Sequence, residues 1–124
     1  MLTKWIAVIC WVSGGITMLA GIQFILPEFF LSTVEHMNVT EPDGIFFARH
    51  WGLLVFVFGV LICLAARRPD LRRTVLAAAG IEKLGYAALV ALSWSDLPGL
   101  HASALFDGAC VLLYGAWLAE SRPP

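Results

Sequence analysis

Four ionisable residues, Arg49, Glu82, Lys83 and Asp107, stand inside stretches of sequence that are otherwise almost wholly apolar. A charge deep in a membrane-spanning helix is costly unless it is paired or hydrated, and such residues commonly mark a binding site or an ion path. With about 1.5 Å of rise per helical residue, Glu82 and Lys83 fall about 12–14 Å from one edge of their span, near mid-membrane. Asp107 falls about 10 Å and Arg49 about 6 Å below the opposite edge by the same count. Adjacent helical residues point about 100° apart, so Glu82 and Lys83 face different neighbours. The small difference in depth between Arg49 and Asp107 pairs these two, within reach of an arginine stem. Lys83 can also stretch toward Asp107, which would make a three-member cluster. Glu82 is left without a cation of its own at that depth.

Other polar residues extend this candidate cluster. Tyr86 and Ser93 share a helical stripe with Glu82, and Ser103, Cys110 and Tyr114 share one with Asp107. Gln23 closes the outer end of the first apolar stretch, and His50 and His101 lie at the outer boundary of theirs. The four central charges cancel, two of each sign, which suits either a polar pocket or a hydrogen-bonded lock. No HExxH, G-x-S-x-G, P-loop or Rossmann fingerprint accompanies them, so neither a catalytic residue nor a cofactor is assigned and enzymatic activity stays open. Cys10, Cys63 and Cys110 are odd in number and form no CxxC, and read as small apolar residues rather than as a metal site or disulfide framework.

The elements that carry these residues follow from composition. The 124 residues suffice for a single domain, and 60% hydrophobic against 14% charged is far from the balance of a soluble domain. A chain this short buries too little of itself to hide so much apolar surface from water, whereas lipid can solvate it. Four stretches have the roughly 20 apolar residues that a span requires: 5–26, 45–66, 74–94 and 100–119. They lack the alternation of barrel strands, so the expected fold is all-α, an antiparallel bundle of four transmembrane helices. The first stretch is too long for a signal peptide and no clean A-x-A site follows it, which reads as a retained span.

Orientation comes from the loops. Residues 27–44 carry Glu28, Glu35, Glu41 and Asp43 with no Lys or Arg, while 67–73 carry Arg67, Arg68, Arg72 and Arg73 around Asp70. Basic loops stay in the cytoplasm, which places both termini inside and the protein in the cell inner membrane as a multi-pass chain. Trp5 and Trp117 would lie at the inner interface. Phe30, Val34 and Met37 at i, i+4, i+7, with Glu28, Glu35 and His36 on the other side, predict a short helix lying on the outer surface. Thr40-Glu-Pro-Asp43 then reads as a capping box opening the second span.

Small residues mark the seams where helices approach closely: Ser13, Thr17 and Gly21; Gly52 and Gly59; Ala77, Ile81 and Gly85; Ala104, Gly108 and Gly115. A net charge of -1 and the absence of a basic tract with interleaved aromatics exclude nucleic acid as a partner.

Ala48-Arg-His-Trp-Gly52 at the start of the second span, the Arg67-Arg-Pro-Asp-Leu-Arg-Arg73 turn and Phe106-Asp-Gly108 accompany this four-span layout. In these respects the chain resembles the DoxX-like group of small bacterial four-helix membrane proteins. Some members of that group are linked to quinone-dependent sulfur oxidation and most have no known activity. The resemblance thus implies a quinone among the candidate ligands and fixes no catalytic residue. The leading expectation is a bundle whose polar cluster binds a lipid, quinone or other hydrophobic small molecule. The alternatives are a structural or assembly subunit of a larger membrane complex and, behind it, an ion- or proton-conducting homo-oligomer.

Overall fold

A computed structural model of the chain describes residues 2–121. Its helices are α1 (Ile6–Leu19), α2 (Ile22–Ile25), α3 (Pro27–Thr33), α4 (Pro42–Arg67), α5 (Pro69–Leu92) and α6 (His101–Glu120), and among the described residues there is no strand. Four segments are long and apolar enough to cross a membrane: Ile6–Ile25, Pro42–Arg67, Pro69–Leu92 and Pro98–Glu120. Large apolar side chains cover the outside of the bundle, with Ile81, Leu92 and Leu112 each about three-quarters exposed or more (74%, 84% and 75%). In water such a surface would aggregate, and in lipid it is the ordinary exterior of a span.

Prolines set the boundaries. Pro27, Pro42 and Pro69 each occupy the first turn of a helix, where the missing N–H removes nothing that the helix needs. Arg68 alone connects α4 to α5. The basic turn here is also a structural clasp, because Arg72 donates from Nε to Ala65 O and from Nη2 to Ala66 O, both at 2.9 Å. These are carbonyls in the last turn of α4, which have no partner within their own helix. The third span consequently begins at Pro69, five residues before the expected 74, with Arg72 and Arg73 already helical. At the start of α4 the expected capping box does not form. The N-cap residue is Glu41, without a side-chain cap, and Pro42 with Asp43 supplies the first turn.

The bundle is two helix pairs. α1 packs most extensively on α4, and α5 on α6, with α4 and α5 in lesser contact. The first seam is glycine-built: a Cβ on Gly59 would stand 2.6 Å from Met18 N, and one on Gly14 2.9 Å from Cys63 N. Gly52 lies equally close to α2, where an added Cβ would meet Phe24 N at 2.6 Å. Ser13 and Thr17 are buried as their stripe implies. The third and fourth stripes behave otherwise. Gly85, Gly108 and Gly115 have open space where a Cβ would go, and Ile81 faces outward. Leu76, Ala79, Lys83 and Val90 are the residues that α5 turns inward.

Between the pairs, the half nearer the chain termini is filled. Ile6, Cys10, Ile62, Leu76, Ala79, Tyr114 and Trp117 form one buried cluster. Trp117 is therefore a core residue rather than an interfacial one. A smaller cluster of Val90, Leu100 and Ala104 lies at the other end, with Met37 packed against it.

Candidate functional site

α5 and α6 bring Lys83 and Asp107 together. Lys83 Nζ donates to Asp107 Oδ1 at 2.8 Å and to Thr17 Oγ1 at 3.1 Å, and lies 5.1 Å from the centre of the Phe106 ring. Lys83 is 2% exposed and Asp107 9%, so this is a charge pair held away from lipid. Thr17 Oγ1 donates in turn to Ser13 O at 2.7 Å, and Tyr114 OH donates to Ser13 Oγ at 2.6 Å. The two helix pairs are thus joined by hydroxyls of α1 meeting polar groups of α5 and α6.

Arg49 is not the partner of Asp107. α4 turns Ala48, Gly52, Val55, Gly59 and Ile62 toward the bundle, and Arg49 stands about 100° around the helix from Ala48. It is exposed, as is His50, and neither makes an ion pair or side-chain hydrogen bond among the described residues. His101 is held at the start of α6, where its ring stacks on Trp94 with centroids 3.4 Å apart and its Nε2 donates to Trp94 O at 2.7 Å. Gln23 is 2% exposed and its Nε2 donates to Ala48 O at 2.6 Å, which pins α2 to α4 away from the charge pair.

Beside the pair, a cavity of about 490 Å³ opens between the two helix pairs. All six helices contribute to its walls, among them Ile16, Thr17 and the C-cap Ala20 of α1; Ile22 of α2; Phe29 and Phe30 of α3; Trp51 and Val55 of α4; Glu82, Lys83 and Tyr86 of α5; Ser103, Phe106 and Asp107 of α6. This size and mixture, mostly apolar with a few convergent polar groups, is that of a small-molecule site. Tyr86 and Ser103 share a hydrogen bond of 2.8 Å, and the Trp51 ring lies 5.6 Å from that of Tyr86. Of the sequence-derived candidates, Glu82, Lys83, Tyr86 and Asp107 line the cavity. Arg49, His50, His101 and Gln23 are not among its lining residues.

Glu35 enters the site from an unexpected direction. A short helix does occur here as α3, but it ends at Thr33, short of Val34 and Met37, and Glu35 is buried instead of standing on a polar face. His36, with a positive φ of 52°, turns the chain there. The Glu35 carbonyl lies so close against Gly99 that no side chain fits at that position. The Glu35 side chain is 6% exposed, lines the cavity, and makes no hydrogen bond or ion pair among the described residues. Burial pushes its carboxyl up to about 7 from 4.5. Its closed position is therefore most stable below the mid-4s, weakens as pH rises, and levels off above about 7.

Thr17, Glu35, Trp51 and Phe106 are the site residues that the sequence alone did not single out as such. Trp51 adjoins the Arg49-His50 pair and Phe106 adjoins Asp107, one helical step away from residues chosen for their charge. Glu35 has no such neighbour to signal it, because its burial depends on the fold of a loop against Gly99. Comparisons with protein-family models, with characterised proteins and with solved structures return no match, so the site is read from its own chemistry.

Proposed function

We propose that this chain is an inner-membrane protein with both termini in the cytoplasm, and that the cavity beside Lys83 and Asp107 binds a lipid, quinone or other hydrophobic small molecule. The observation that carries this reading is the cavity itself: apolar and aromatic walls, with charged and hydroxyl groups gathered on α5 and α6. A lock would need only the closed Lys83–Asp107–Thr17 network, whereas here Glu82 and Glu35 border the same space without hydrogen-bonded partners among the described residues. The DoxX-like layout supports a quinone among the occupants.

The test is mass spectrometry of the protein released from mild detergent, beside a Val55→Phe variant. Val55 is buried and borders the cavity, so the larger ring takes up its space. The native chain is expected to carry a stoichiometric apolar companion and the variant to lose most of it. If both release the same mixture of bulk lipid, the structural or assembly role becomes the better reading, supported by the bonds from Lys83 and Tyr114 to α1.

A further inference from the structure

The charge count around the cavity is unequal. Glu35, Glu82 and Asp107 supply three carboxyls and Lys83 one ammonium. Lys83 already donates to Asp107 at 2.8 Å, so that pair closes on itself. The surplus is Glu35 and Glu82, neither of which has a hydrogen-bonded partner among the described residues. Glu35 is the more telling, because its side chain is 94% buried against a relative exposure of 6% and still faces the cavity rather than a cation of the protein. A carboxyl is costly to bury in this way unless something hydrogen-bonds or neutralises it. Tyr86 borders the same space.

The rest of the lining has the matching character. Phe29, Phe30, Trp51, Tyr86 and Phe106 all border the space. Aromatic faces carry negative electrostatic potential and attract cations, ammonium groups above all. A neutral quinone can accept a hydrogen bond from a protonated carboxyl but offers no charge to an ionised one, and an anion would be repelled by the ionised form.

We propose that the cavity is selective for hydrophobic cations, such as an amphiphile headed by an amine or quaternary ammonium, whose positive charge is met by Glu35 and Glu82 and whose apolar part lies against the aromatic walls. This rests on the reading of the cavity as a binding site and narrows its ligand to one sign of charge. Glu35 exchanges a proton for the incoming cation: protonated while the cavity is empty, it ionises as the cation arrives. The groups sharing the space with Glu35 are Glu82, Lys83 and Tyr86 from α5 and Asp107 from α6.

The experiment is equilibrium dialysis of the purified full chain in a neutral detergent against three probes: tetraphenylphosphonium, its near-isosteric anion tetraphenylborate, and a decyl-tailed benzoquinone. Expected is saturable binding of tetraphenylphosphonium, at least tenfold tighter than tetraphenylborate, tightening further from pH 6 to pH 8. Glu35→Gln combined with Glu82→Gln should weaken it tenfold or more and flatten its pH dependence. Saturable binding of the borate or benzoquinone in place of the cation overturns the charge selectivity and leaves the binding cavity standing. No saturable binding of any probe overturns both. Cation binding that ignores the two substitutions, or that is unchanged between pH 6 and pH 8, removes these carboxyls from the site. Should the double variant fail to fold, the cation-to-anion ratio of the native chain decides by itself.

Discussion

At the scale of single residues, the decisive pairing is Lys83 with Asp107. Removing one partner from a buried pair leaves the other charged and alone, at a cost of about 3–5 kcal/mol. Asp107→Ala and Lys83→Ala are each expected to lower the thermal stability of the detergent-solubilised protein by that order. The Lys83→Met, Asp107→Leu double variant should recover much of the loss, since an apolar replacement leaves no orphan. Arg49→Ala should fall within about 0.5 kcal/mol of the native chain, as exposed substitutions usually do. Additive losses at positions 83 and 107 would show that the pair is not coupled. The charged residues and even the Lys83–Asp107 option were legible in the sequence. The choice between Arg49 and Lys83 was not, because two cations within reach of one carboxylate are separated only by helix rotation, and rotation is set by packing. α4 is turned by the fit of Gly52 and Gly59 against the α1–α2 backbone, which leaves Arg49 outside.

At the scale of helices, glycines divide into those that admit a neighbour and those that do not. Gly59→Ala would drive a methyl group to 2.6 Å from Met18 N, a backbone atom that cannot step aside. A loss of about 1–3 kcal/mol is expected, the usual cost of overpacking. Gly85→Ala meets open space and should be neutral or stabilise by up to about 1 kcal/mol, from helix propensity alone. Thermal unfolding in detergent reads both, and equal effects would mean that the α1–α4 seam is looser than described. Spacing of small residues revealed the first two seams correctly, since close backbone approach requires them. It held at Ala104, which is buried, but failed at Ile81, Gly85, Gly108 and Gly115, because a small residue facing lipid leaves the same trace in sequence as one facing a helix. The inward row of α5 is Leu76, Ala79, Lys83 and Val90, mostly large side chains.

At the scale of the whole molecule, four spans were readable from apolar length alone. Their starts shifted where Pro42, Pro69 and Pro98 begin helical segments a few residues earlier than hydropathy does. The proposed orientation gives a direct expectation. Reporter fusions after Gly44 and after Gly99 should report the periplasm, and a fusion after Asp70 the cytoplasm. A cytoplasmic signal at Gly44 would reverse the arrangement of the entire bundle. A polar pocket was among the expectations, but its walls were not legible at this scale, because they depend on where the two helix pairs stand apart, and a gap between helices has no sequence signature.

The division into two pairs also bears on how such a chain enters a bilayer. Lys83 and Asp107 both belong to the α5–α6 pair, and Tyr86 and Ser103 bond within it as well. In the α1–α4 pair, Ser13 and Thr17 donate to carbonyls of their own helix and Gln23 donates to Ala48. Each half can therefore satisfy its principal polar groups during insertion, before it has met the other. No lone charge from the central pair need cross the hydrocarbon in search of a partner, a crossing that lipid strongly penalises. The bonds from Lys83 to Thr17 and from Tyr114 to Ser13 can then form last, between two hairpins already resident in the membrane, so that helix insertion and cavity assembly are separable events in the biogenesis of the protein.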